Sequence, residues 1–151
     1  GFNSRWSVNE DYEINYRLRK TGGKILLSPK IQCKYFVRSS MYRLMRQYFL
    51  YGYGKIRTLI VHPQSTKLRQ IIPPVFVLSV IVSLILAAMG NLFGFVLPIF
   101  YLLINLVYSI QIALRNGMKY IVSLPIVFAI IHFSWGLGFW FGLPKYFVNP
   151  N

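Results

Sequence analysis

The sequence predicts an α/β part over residues 1–38, an interfacial helix and basic linker to about residue 70, and then an all-α membrane domain of about three transmembrane helices. Composition, the placement of charge and a change of residue periodicity carry that prediction. Apolar residues make up 55% of the 151 positions and charged residues 13%, against roughly 45 to 50% and about 25% in soluble proteins. Of 17 Lys and Arg and 3 acids, only Arg115 and Lys119 fall between Ile71 and Gly142. The net charge of +14 by itself fits nucleic acid or an anionic membrane surface. The apolar second half decides for the membrane. No nucleic-acid partner is expected, because the bases from Lys24 to Arg69 are scattered among aromatics and form no recognised module.

The chain starts at Gly1 with no signal-peptide pattern, and the start reads as a cut within a larger fold. One cysteine, Cys33, excludes an internal disulfide and a multi-cysteine metal site; it is expected to pack as a small apolar residue.

The run Asn9 to Gly23 holds all three acids, Glu10, Asp11 and Glu13. Asn9 as N-cap, acids in the first turn, bases in the last and glycines after the end describe a short helix. Glu13 and Arg17 form an ordinary i,i+4 pair. Asp11 shares a helical face with Ile14 and Leu18, so its carboxylate is expected to point towards protein. An apolar run from Lys24 to Pro29 and an alternating one from Ile31 to Val37 read as two strands completing a sheet.

Ser39 or Ser40 then caps a second helix, with Met41, Leu44, Met45, Tyr48 and Phe49 on one face and Arg43, Arg46 and Gln47 on the other. A basic, aromatic amphipathic helix before a membrane span reads as interfacial; Gly52 and Gly54 are expected to end or break it. The spans follow at Ile71 to Met89, Phe93 to Leu114 and Tyr120 to Gly142, each near the roughly 20 apolar residues that hydrocarbon requires. Pro73 and Pro74 are expected in the first turn of the first span, with Pro98 and Pro125 inside or near the start of the others.

Lys55, Arg57, Lys67 and Arg69 precede the first span, while Arg115 and Lys119 lie between the second and third. Those six bases put the N-terminal half in the cytoplasm and Asn151 outside, with Lys145 the one dissenting charge. The resulting division is 1–38, an α/β part; 39–70, the interfacial helix and basic linker; 71–143, three spans; and 144–151, an extracytoplasmic tail. His132 in the last span is read as a helix-to-helix hydrogen bond, His62 as a loop residue, and Trp6, Trp135 and Trp140 as packing or interfacial aromatics.

Gly1-Phe2-Asn3, then Asn9-Glu10-Asp11-Tyr12-Glu13-Ile14-Asn15-Tyr16-Arg17-Leu18 and Gly22-Gly23-Lys24-Ile25, resemble the Glu-Asp region of family 2 glycosyltransferases. Arg46 to Lys55 and His132 to Phe139 are similar to the membrane-bound, succinoglycan-type branch. The resemblance implies an α/β, GT-A-type domain that moves a sugar from a nucleotide diphosphate sugar to an acceptor hydroxyl with inversion. It implies Asp11 as general base, with Glu10 supporting it or touching the acceptor. Gln47, Arg46 and Arg43 correspond loosely to a Gln-x-x-Arg-Trp element that handles diphosphate or acceptor, although Arg-Trp is missing here. Arg43, Arg46 and Lys55 are cations suited to a diphosphate or a lipid phosphate.

The family's uridine-binding aspartate and its Asp-x-Asp site for Mg or Mn would lie before Gly1, and Asp11 is the sole aspartate. Neither donor nor metal is therefore expected on this chain alone. The implied partners are membrane lipids, a lipid-linked or polysaccharide acceptor and an N-terminal catalytic segment. The competing class is a non-catalytic membrane protein whose basic face binds anionic lipid or a partner chain.

Overall fold

The computed structural model describes residues 1–2 and 8–148, apart from the side chain of Phe147; Trp6 and Asn151 lie outside the described residues. Five α-helices follow one another: α1 (Glu10–Lys20), α2 (Met41–Val61), α3 (Leu68–Ala88), α4 (Val96–Asn116) and α5 (Ser123–Val148). Short 3-10 turns link the last four.

The α/β expectation is corrected, because no strand forms among the described residues and the chain is all-helical. Residues 23–38 do run without helix where two strands were expected, but no neighbouring strand pairs with them. Leu26 and Leu27 are 89% and 92% exposed. An extended segment becomes a strand only when another backbone accepts and donates its ladder bonds. Cys33 is exposed as well, instead of packed.

Local signals do hold at the helix ends. The Ser40 hydroxyl accepts from the Arg43 N–H at 3.3 Å, capping α2. Gly22 adopts φ 81° after α1, a conformation glycine takes without penalty. Asn9 stands before α1 with φ 64° but makes no side-chain cap. Its amide donates instead to the Tyr51 carbonyl at 3.3 Å, tying α1 to α2.

Gly52 and Gly54 were expected to end the second helix, yet α2 runs through both. α5 lies against Gly52, where a Cβ would collide with the Trp135 carbonyl, as one on Gly138 would with the Phe49 carbonyl, while Gly54 faces Val8 and Asn9. Phe49 meets Gly138 and Tyr53 meets Gly142, a shared advance of four residues that makes the two helices parallel. Close backbone contact of this kind needs small residues at the crossing.

Three helices are long and apolar enough to cross a membrane: Leu68–Ala88, Leu92–Asn116 with its leading turn, and Ser123–Tyr146. The first and second form an antiparallel hairpin, since Gly94 packs on Ser83 and Ala87 while Tyr101 meets Phe76. The third is not a parallel neighbour of that hairpin. Phe133, Gly136 and Trp140 all contact α3 within the short stretch Pro73 to Val77. At 1.5 Å rise per residue, that pattern requires a steep crossing.

Pro73 and Pro74 fall inside α3, not in its first turn, because α3 begins at Leu68. Helix formation from the Lys67 cap, where the Gln70 side chain accepts from the Lys67 N–H at 3.1 Å, extends the helix ahead of the apolar run. Trp140 donates to the Pro74 carbonyl at 2.8 Å from α5.

A candidate binding cleft at the membrane edge

α1 is fastened to the rest by one face. Tyr12 donates to the Ser65 carbonyl at 2.5 Å, Tyr16 packs on His62 with ring centroids 4.8 Å apart, and Asn9 reaches Tyr51. Glu13 lies on that face, 3% exposed. Its carboxylate accepts from Arg17 Nε and Nη2 at 2.6 and 3.0 Å, with His62 Nε2 3.4 Å away. The Arg17 hydrogen bond holds the Glu13 carboxyl below its ordinary range. His62, expected in a loop, closes the end of α2 and joins it to α1.

With that face docked, Asp11 turns the other way. It is exposed, so the expectation that it faces the core is corrected. Leu18, its supposed core partner, is also exposed. Aromatic contacts at Tyr12 and Tyr16 outweigh the short aliphatic pair and fix the rotation of α1.

Asp11 and Glu10 instead line a cleft of about 1060 Å³ bounded by α1, α2, the start of α3 and the middle of α5. Arg43, Arg46 and Gln47 line it from α2, so all five residues singled out in the sequence come to one place. Gln47 Oε1 accepts from Arg38 at 3.0 Å, and its Nε2 donates to the Tyr51 hydroxyl at 2.6 Å and the Tyr35 hydroxyl at 3.2 Å. Gln47 thereby orders Arg38, which also lines the cleft and was not singled out by sequence.

Lys55 and Arg69 complete the basic side, giving the lining five Lys and Arg against two carboxylates. Lys55 is 4% exposed, with Nζ 3.2 Å from the centroid of the Tyr12 ring. Burial lowers its pKa to about 8, while Asp11 works in the opposite direction. The far wall is different: Ile131, His132 and Trp135 of α5 and Pro73 of α3 bring apolar surface from the membrane helices. His132 also makes the expected helix-to-helix contact, its Nδ1 3.2 Å from the Tyr101 hydroxyl.

Among the described residues, no group of three or more His, Cys, Asp and Glu side chains comes together to hold a metal ion. These residues therefore do not fit a Mg or Mn site. The arrangement suits a ligand with an anionic group, polar hydroxyls and an apolar portion.

Three membrane-length apolar helices with a charged cleft at their edge are the marks of a membrane protein carrying a candidate binding cleft. Over 93% of its length the chain is 30% identical to the succinoglycan biosynthesis protein ExoA of Rhizobium meliloti (strain 1021). Over 95% of its length it is 26% identical to the dolichyl N-acetyl-alpha-D-glucosaminyl phosphate 3-beta-D-2,3-diacetamido-2,3-dideoxy-beta-D-glucuronosyltransferase of Methanococcus voltae. The chain spans 42% of the length of each relative. No family model and no solved structure matches it. The resemblance read from the sequence is borne out: over nearly all of its length the chain is similar to part of a succinoglycan biosynthesis protein and to part of a glycosyltransferase.

Proposed function

We propose that the chain forms the acceptor side of an inverting glycosyltransferase working at the cytoplasmic face of the cell membrane. In this reading a sugar passes from a nucleotide diphosphate sugar to a hydroxyl of a lipid-linked or polysaccharide acceptor. The observation that carries it is the meeting of Asp11 and Glu10 with Arg43, Arg46 and Gln47 in one cleft that runs onto the membrane helices.

Asp11 takes the acceptor hydroxyl proton as the new bond to the anomeric carbon forms. The bond from that carbon to the diphosphate breaks at the same time, and the diphosphate leaves with the electron pair. Glu10, beside it on the cleft wall, holds the acceptor. Arg43 and Arg46 favour the negative charge carried by diphosphate or lipid phosphate, since guanidinium forks match phosphate oxygens. The donor and any metal it carries are bound by other parts of the full protein, in keeping with the shared length.

The test is sugar transfer from labelled nucleotide sugars to membrane lipid or polysaccharide, using protein expressed from its native gene. Asp11→Asn is expected to lower turnover by about 10² to 10⁴-fold while membrane insertion is retained. Exposure of Asp11 leaves one rival standing, a non-catalytic protein that binds anionic lipid or a partner chain. Undiminished transfer by Asp11→Asn would favour it.

A further inference from the structure

Lys55 stands apart from the other cations of the cleft. Arg38, Arg43, Arg46 and Arg69 are exposed groups at the rim, whereas Lys55 is buried where α1, α2 and the start of α3 converge. Among the described residues it has no hydrogen bond and no ion pair, only the face of Tyr12. Tyr12 cannot turn away, because its hydroxyl is bonded to the Ser65 carbonyl. The Lys55 ammonium opens on the cleft while burial of the rest of the side chain takes away part of its hydration, a loss that an aromatic face recovers only in part. A buried cation left in that condition on a cleft wall is prepared for an anion that arrives with the ligand.

We propose that Lys55 is the anion-reading group of this cleft, exchanging the face of Tyr12 for the oxyanion of a phosphate on the bound ligand. This rests on the same cleft as the transferase reading and names the chemical group the cleft demands. The choice of a phosphate over a carboxylate follows from number: Arg69 and Lys67 bring further positive charge near Lys55, and Asp11 alone opposes them. A dianion with three oxygens answers several cations at once.

The charged groups around Lys55 set its response to pH. Asp11 faces it from α1, Lys67 and Arg69 from the start of α3, and His132 lines the same cleft from α5. With its own pKa near 8, Lys55 carries its charge at neutral pH, and an arriving anion raises that pKa. Affinity is therefore present below pH 8 and lost as pH rises through the higher value of the complex.

The test is calorimetric binding of phenyl phosphate and of farnesyl phosphate to the detergent-solubilised protein between pH 7.5 and 9.5. Both probes stay dianionic there, since the second pKa of a phosphate monoester lies near 6. Lys55→Met, close in shape and free of buried charge, is expected to fold and to weaken phenyl phosphate about tenfold or more. Lys55→Arg is expected to bind within about threefold of the parent and to lose the decline with pH, since guanidinium stays protonated. Lys24→Met, away from the cleft, serves as control. Equal affinity in Lys55→Met and the parent, or a parent affinity flat across the pH range, would overturn the proposal.

Lys55-dependent binding that is tighter for farnesyl phosphate assigns the phosphate to a lipid, and equal binding assigns it to a soluble ligand; both uphold the site. Phosphate binding through Lys55 without sugar transfer would sink the transferase reading and leave this site intact. Transfer with no Lys55-dependent binding would do the reverse.

Discussion

Glu13 shows how one side chain sets the position of a helix. Its carboxylate is covered by Arg17 and His62 and sits on the face of α1 that also carries Asn9, Tyr12 and Tyr16. Glu13→Gln keeps the shape but removes the charge that Arg17 answers, and is expected to lower Tm by about 2 to 4 °C. The pH dependence follows in sign: a carboxyl held below its ordinary value near 4.5 stabilises the fold above that pH. That part of the stability is lost as pH falls through the lower, folded value. Thermal melts of the parent from pH 6 to 3 should therefore show a decline that Glu13→Gln lacks. The spacing of Asn9, Tyr12, Glu13 and Tyr16, i, i+3, i+4 and i+7, was legible in the sequence as a helical stripe. That stripe is polar and aromatic, whereas the aliphatic pair Ile14 and Leu18 points to a different face.

At the scale of elements, the decisive contact is α2 against α5. A Cβ on Gly52 or Gly138 meets opposing backbone, and one on Gly142 comes within 2.5 Å of the Tyr53 carbonyl. Backbone cannot step aside, so Gly52→Ala and Gly138→Ala are expected to separate the helices, at a cost of about 1 to 3 kcal/mol or more. Gly54→Ala meets the side chains of Val8 and Asn9 at 3.1 and 3.2 Å, which can shift, and should be the mildest. Trypsin cleavage at Arg43 and Arg46, compared across the three variants, reads that ranking directly. In the sequence the same glycines signalled a break, because glycine lowers helix propensity and only the partner helix reveals their use. The expected strands failed for the related reason that pairing is a property of two segments. A run such as Lys24 to Pro29 shows its own pattern but not whether a neighbour is there.

For the whole molecule, the sequence marked all three apolar helices closely, since length and composition suffice to recognise them. Their mutual arrangement was hidden, because it depends on contacts such as Trp140 to Pro74 and Asn105 to the Pro125 carbonyl at 3.0 Å. The cleft was half legible. Acids on α1 and bases on α2 were identified in the sequence as separate groups, while Lys55, Arg69 and the α5 wall join them only after folding. Charge pattern and membrane length speak about segments, whereas a cleft is made between them.

The steep passage of α5 over α3 also bears on which ends of the chain share a compartment. A straight third span would carry its final turn across the bilayer, away from α2. Yet Lys145 has its ammonium 5.6 Å from the ring of Tyr53, and Tyr146 packs edge-on against the same ring at 5.5 Å. The cation that dissented from the count of flanking bases is thus a neighbour of the basic helix. α5 lies across the hairpin with its final turn beside α2. Cysteines placed at Lys145 and at Lys24 on a Cys33→Ser background should react with a membrane-impermeant maleimide from one and the same side; labelling from opposite sides would mean that α5 crosses.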